Sequence, residues 1–162
     1  MQTENSSAQH KDFIGNIESR FLFYLPTPPS IPKGDLTVQS LIAENGNHWR
    51  KILTIAAKLT CGELDWRTYR DSKLLANVGF YFGDHLKKQQ SRVHIVCGMK
   101  HRVTMGLSQT LYFSACDENE KAWYKINNES NESFYLTPYL DYRQFNNELI
   151  DTIKEIITNN AN

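Results

Sequence analysis

The chain has 162 residues, a formal net charge of zero, 40% hydrophobic residues and 22% charged residues. That length suits one domain with a sizeable core and is too short for two ordinary ones. Zero net charge excludes a protein-wide pull toward nucleic acid or an anionic membrane, though a local basic face stays open, and no apolar run approaches bilayer length.

Met1 to Asp12 is polar and lacks the apolar segment of a secretory leader. It predicts a disordered tail on a cytoplasmic protein, with residues 13–162 as one α/β domain. Three widely spaced cysteines, Cys61, Cys97 and Cys116, read as reduced thiols in the same compartment. Phe13 to Ile17 reads as a short helix or a lead-in. Arg20 to Leu25 is apolar without alternation, the pattern of a strand covered on both faces. Pro26-Thr27-Pro28-Pro29 then stops ladder pairing, because three of its four residues lack an N–H. After a polar loop, Asn45 to Leu59 predicts a helix, with Trp49, Ile52, Leu53, Ala56 and Leu59 on one face.

Tyr69 to Asn77 predicts a second helix, Val78 to Phe82 a second strand and Arg92 to Cys97 a third. Gly98 turns the chain into a helix near Met99 to Met105. Thr110 to Ser114 and Ala122 to Ile126 predict an added hairpin about the Asp117–Lys121 turn. Ser133 to Leu136 is the last core strand and Asn146 to Thr158 the final helix. This alternation predicts a three-layer α/β sandwich with a mostly parallel four-stranded central sheet and right-handed crossovers. Ligands of such sheets bind beyond the carboxyl ends of the strands.

The order of these pieces resembles the uracil-DNA glycosylase superfamily, in particular its mismatch-specific and deoxyinosine-directed branches. Four segments carry the resemblance across residues 20 to 157. Arg20 to Pro29 stands where the family has a strand and a Gly-x-x-Pro-Gly loop. Asn47-His48-Trp49-Arg50-Lys51-Ile52-Leu53 looks like its Asn-x-Phe-Trp-Arg-Ile-Leu helix start. Tyr69 to Asp84 looks like its Tyr-x-x-Arg helix running into a Gly-Ile-x-x-x-Asp strand. Val93 to Lys100 looks like its strand ending in Gly-x-Lys, and Leu136-Thr137-Pro138-Tyr139 falls at its second motif. The sequence departs at the chemistry: Leu25 and Pro29 replace both loop glycines, and Thr137-Pro138 replaces His, Ser-Pro or Asn-Pro.

The resemblance implies hydrolysis of the N-glycosidic bond of a deaminated base in DNA, with no metal and no cofactor. Such chemistry needs a placed water, a stabilised oxocarbenium-like sugar and a pocket for the flipped base. It puts Asn47, Thr27 and Asp141 in the catalytic set. Tyr24, Pro28, His48, Trp49, Thr137, Tyr139 and Arg143 become the binding set, for DNA or a nucleotide. Plainer roles stand beside these. Asn47 has the residue type of a helix N-cap, and Trp49 that of a core residue. Asp141 and Arg143 suit a loop salt bridge, and Asp141 or Asn146 suits a cap on the final helix. The lost glycines leave open a protein that binds nucleic acid or nucleotide without cutting it. Recognition of a protein or small molecule by Tyr139 to Gln144 is a third possibility. His94, Cys97 and His101 lack the companion ligands of a metal site.

Overall fold

The computed structural model describes residues 12–107 and 115–160. Seven strands form one mixed sheet: β1 (Phe13–Gly15), β2 (Phe21–Tyr24), β3 (Val78–Tyr81), β4 (Val93–Cys97), β5 (Ala115–Cys116), β6 (Trp123–Asn127) and β7 (Glu132–Thr137). Their order across the sheet is β1-β3-β2-β4-β7-β6-β5. The four central strands, β3-β2-β4-β7, run parallel. Antiparallel strands extend both sides. The protein is therefore of the mixed α/β class.

Six helices complete the described fold: α1 (Val38–Asn45), α2 (Asn47–Thr60), α3 (Trp66–Ser72), α4 (Leu74–Asn77), α5 (Met99–Thr104) and α6 (Asn147–Asn160). One face of the sheet, with Phe23, Phe80, Ile95 and Tyr135, packs against Trp49, Leu53 and Ile153 of the long helices. The other carries Leu22, Tyr24, Tyr81, Val96, Phe134 and Leu136. Among the described residues that face is covered by Leu86, Met105, Leu107 and Trp123, so the expected second helical layer reduces to loops and the short α5.

Several boundaries differ from the sequence expectations. Residues 13–15 are an edge strand paired to β3, too short to show a period. The carbonyl of Asp12, expected in the tail, accepts the Phe82 N–H at 2.9 Å. The expected helix from Asn45 is two helices broken at Gly46, whose φ of 76° suits a residue without Cβ. Thr37 and Ser40 form a capping box that starts α1. Gly46, not Asn47, is the N-cap of α2 and supplies no side-chain bond. The expected helix Tyr69–Asn77 is α3 and α4, interrupted at Lys73. Asn146 caps the final helix, accepting the Leu149 N–H at 2.9 Å. Of the added hairpin, Thr110–Ser114 lies outside the described residues, and β6 pairs with both β5 and β7.

Candidate functional site

The chain leaves β2, crosses to β3 on one side and returns to β4 on the other. The carboxyl ends of β2 and β4 therefore form the switch point of the sheet, where a crevice opens between diverging connections. Four segments arrive there: the proline loop after β2, the amino end of α2, the Gly98 turn after β4 and residues 137–143 after β7. Cross-bonds tie them together. Ser30 N–H donates to Asn45 Oδ1 at 2.8 Å, and Asn45 Nδ2 donates to Ser30 O at 2.9 Å, which fixes the proline loop to the end of α1. Gly98 N–H donates to Thr137 O at 2.8 Å, joining the exits of β4 and β7.

His48 and Tyr139 bridge α2 to the last loop. His48 Nε2 lies 2.9 Å from the Tyr139 hydroxyl, and the rings stack at 5.6 Å. Behind them Gly98 sits at φ 90°, where a Cβ would stand 3.4 Å from Tyr139 Cδ1. Tyr139 thus rests on a turn that only glycine makes without strain. Asp141 receives the Arg143 backbone N–H at 3.0 Å and Arg143 Nη2 at 3.2 Å, with Lys51 Nζ 3.7 Å away. Those bonds, Arg143's side chain foremost, hold its carboxyl down at about 2. Asp141 is therefore an ionised loop anchor, and its oxygens are engaged by cations rather than offered to a water.

The other expected site residues separate into exposed and buried groups. Thr27, Pro28, Asn47 and His48 are exposed at this edge, as is the Arg143 side chain. Trp49 is 3% exposed and packs edge-on to Phe80 and Phe82, so it is core and not a base platform. Thr137 is buried, and its hydroxyl donates to its own Pro138 carbonyl at 2.9 Å. It meets no phosphate. Cys97, beneath the turn, is buried and its thiol is pushed up to about 12, which removes it as a nucleophile. Among the described residues no three His, Cys, Asp or Glu side chains gather as a metal-holding group, and no helix is long and apolar enough to cross a membrane.

The model of a family of unknown function, DUF6942, matches residues 12–158. The chain belongs to DUF6942. No curated protein matches the chain, and no solved structure does. The match spans the sheet, all six helices and each segment of the switch point, so this edge belongs to the DUF6942 fold and is not an appendage.

Tyr24 holds a different place in the DUF6942 chain from the one its sequence position suggests. It is fully buried on the face away from α2, and its hydroxyl lies 2.7 Å from His94 Nδ1. His94 Nε2 lies 2.7 Å from Glu132 Oε2. Register explains the row: Leu22 pairs with His94 and His94 with Phe134, so Tyr24 and Glu132 are its diagonal neighbours on one face. Lys87 N–H donates to the Tyr24 oxygen and Gln89 N–H to Glu132, both at 3.0 Å. An ionised Glu132 makes Nε2 the protonated nitrogen, leaving Nδ1 to accept from Tyr24. Tyr24 cannot stack a flipped base there. A lone His in a strand that is otherwise apolar, Val93-His94-Ile95-Val96-Cys97, was the sequence signal for this buried row.

Burial, opposed by the Glu132 hydrogen bond, lowers the His94 pKa from 6.5 to about 4. Unfolding restores the ordinary value, so the unfolded chain binds the extra proton between those limits. Stability from this group is complete above pH 6.5 and falls as pH drops toward 4. The loss should reach about 3 kcal/mol. Urea midpoints of the wild type across that window should show the slope, and His94→Phe should lack it. Parallel curves for the two proteins would exclude this origin.

Proposed function

We propose that this chain is a divergent uracil-DNA glycosylase-like protein that takes a deaminated base of DNA at the carboxyl edge of its sheet and hydrolyses its N-glycosidic bond. The observation that supports this reading is the order of the four parallel strands together with the segment at the exit of each. A proline loop leaves the first strand in the chain, and Asn47 stands at the start of the helix beside it. A glycine turn with Lys100 leaves the third, and a Pro-Tyr segment leaves the fourth. In this reading exposed Asn47 places the water, and Thr27 and Pro28 line the sugar. His48 and Tyr139 present a stacked pair to the base, and Arg50 and Arg143 meet phosphate. Zero net charge leaves that binding to these local cations.

The test is a gel assay on oligonucleotides that each carry one uracil, hypoxanthine or xanthine. The wild type should leave an abasic site on at least one of them. Asn47→Ala should slow that step on the order of 100-fold. Absence of abasic product from all three refutes hydrolysis. A second reading, binding without cleavage, is favoured by one observation: Asp141 is committed to Arg143 and Lys51. Its mark is saturable, salt-sensitive binding of the same oligonucleotides that weakens in Arg143→Ala, with no product formed.

A further inference from the structure

His101 is a buried side chain that none of the roles above uses. It is 4% exposed, and its Nε2 has no hydrogen-bond partner among the described residues. Its ring bonds the backbone of Gly83, the segment leaving β3. Since Nε2 is unpartnered, Nδ1 makes that bond, and only a carbonyl is an acceptor on Gly83, so Nδ1 carries the proton. The position comes from topology. His101 belongs to the exit of β4 and Gly83 to the exit of β3, and β2 lies between those strands. The bond therefore spans the carboxyl end of β2, where Leu25 N–H is held by Tyr81 O at 3.0 Å and the proline loop begins. His101 is thus a strut across the switch point with one nitrogen tied down and a lone pair on the other. Burial lowers its pKa and keeps the ring neutral. An acceptor that gives up water without gaining a donor costs about 1–3 kcal/mol, so such a group points to a donor that arrives with a ligand.

We infer that His101 Nε2 is a specificity acceptor for a lactam N–H, the group that distinguishes a deaminated nucleobase from its parent. Deamination turns the ring nitrogen next to the reacting carbon from a lone pair into an N–H: N3 in cytosine becoming uracil, N1 in adenine becoming hypoxanthine. A fixed lone pair on the protein accepts from the product and repels the parent, which is discrimination by an unpaired polar group rather than by size. This inference rests on the base-binding reading above, without requiring hydrolysis.

Two measurements decide it. The first is the 15N NMR signature of His101 in the intact wild-type chain, which should show protonated Nδ1 and bare Nε2. Protonated Nε2, or an Nε2 bonded only to a buried water and unmoved by uracil, overturns the inference. The second is the affinity of single-stranded oligonucleotides differing at one position, dU against dC and dI against dA. The wild type should favour the deaminated member tenfold or more, and His101→Phe should still bind the oligonucleotides with the preference abolished. His101→Gln, which restores an acceptor, should recover part of it, and this second variant covers the case in which phenylalanine disturbs the fold. If both variants keep the full preference, the role of His101 is wrong while base binding stands. If no oligonucleotide binds, base binding and this inference fall together.

Discussion

Replacing Glu132 by alanine is expected to destabilise the fold by about 3 kcal/mol, the range for removing one partner of a buried charged pair. Glu132 is 4% exposed and its Oε2 accepts from both His94 Nε2 and Gln89 N–H, at 2.7 and 3.0 Å. Alanine leaves both donors buried without an acceptor, and neither can turn to water without opening the sheet. The loss extends beyond β7. Gln89 belongs to the loop that also carries Lys87, whose N–H holds Tyr24, so the loop between β3 and β4 loses one of its anchors. Glu132→Gln keeps an acceptor oxygen and should lose less than half as much. Urea denaturation of the two variants checks the order. Equal losses, or a loss under about 1 kcal/mol for alanine, would show that the row is filled by other partners.

The same row shows what the sequence carries and what it omits. Arg20 to Leu25 was legible as a fully covered strand because β2 is central, with β3 and β4 on its two sides. The α2 stripe was legible because Trp49, Ile52, Leu53, Ala56 and Leu59 are all buried on one side of a long helix. Pattern alone fails where an element is short or its partner is distant. β1 has three residues, and α1 opens on a capping box that uses Ser40 in place of the acidic or amide residue that marks such boxes in sequence. The site was legible as a place, the carboxyl edge, but only partly as a residue set. Tyr24 stands next to the proline loop in sequence, yet the pleat turns it to the face away from α2, and its partner is 70 residues on. Asp141 shows its role only when Lys51 arrives from α2. His101 was visible as one of three candidate metal ligands, whereas its lone Nε2 is a property of packing.

Gly79 carries the second large effect, and here the expected reason is steric. It sits in β3 between β1 and β2, pairing with Gly15 on one side and Leu22 on the other. A Cβ at this position would stand 2.5 Å from Asn16 O and 2.9 Å from Leu22 Cδ1. The leucine end can swing, but the Asn16 carbonyl cannot. Asn16 N–H donates to Val78 O at 3.0 Å, its Nδ2 donates to Ala76 O at 2.9 Å, and its carbonyl takes the Ser19 N–H at 3.0 Å. Three bonds hold the turn between β1 and β2 against the residues just before Gly79, so an alanine must break that turn or shift a central strand. Gly79→Ala should therefore cost about 3 kcal/mol, at the upper end of what overpacking a tight interior produces. Thermal and urea unfolding measure it, with Gly34→Ala as the comparison, since a Cβ at Gly34 meets nothing within 4 Å and only its φ of 84° opposes the change. If the two alanines destabilise equally, left-handed backbone strain rather than contact governs this fold, and the close approach of Asn16 to β3 is not what fixes the glycine. A larger loss at Gly79 would show instead that the strand pair beneath the switch point tolerates no added atom, which is the rigidity a site on this edge needs.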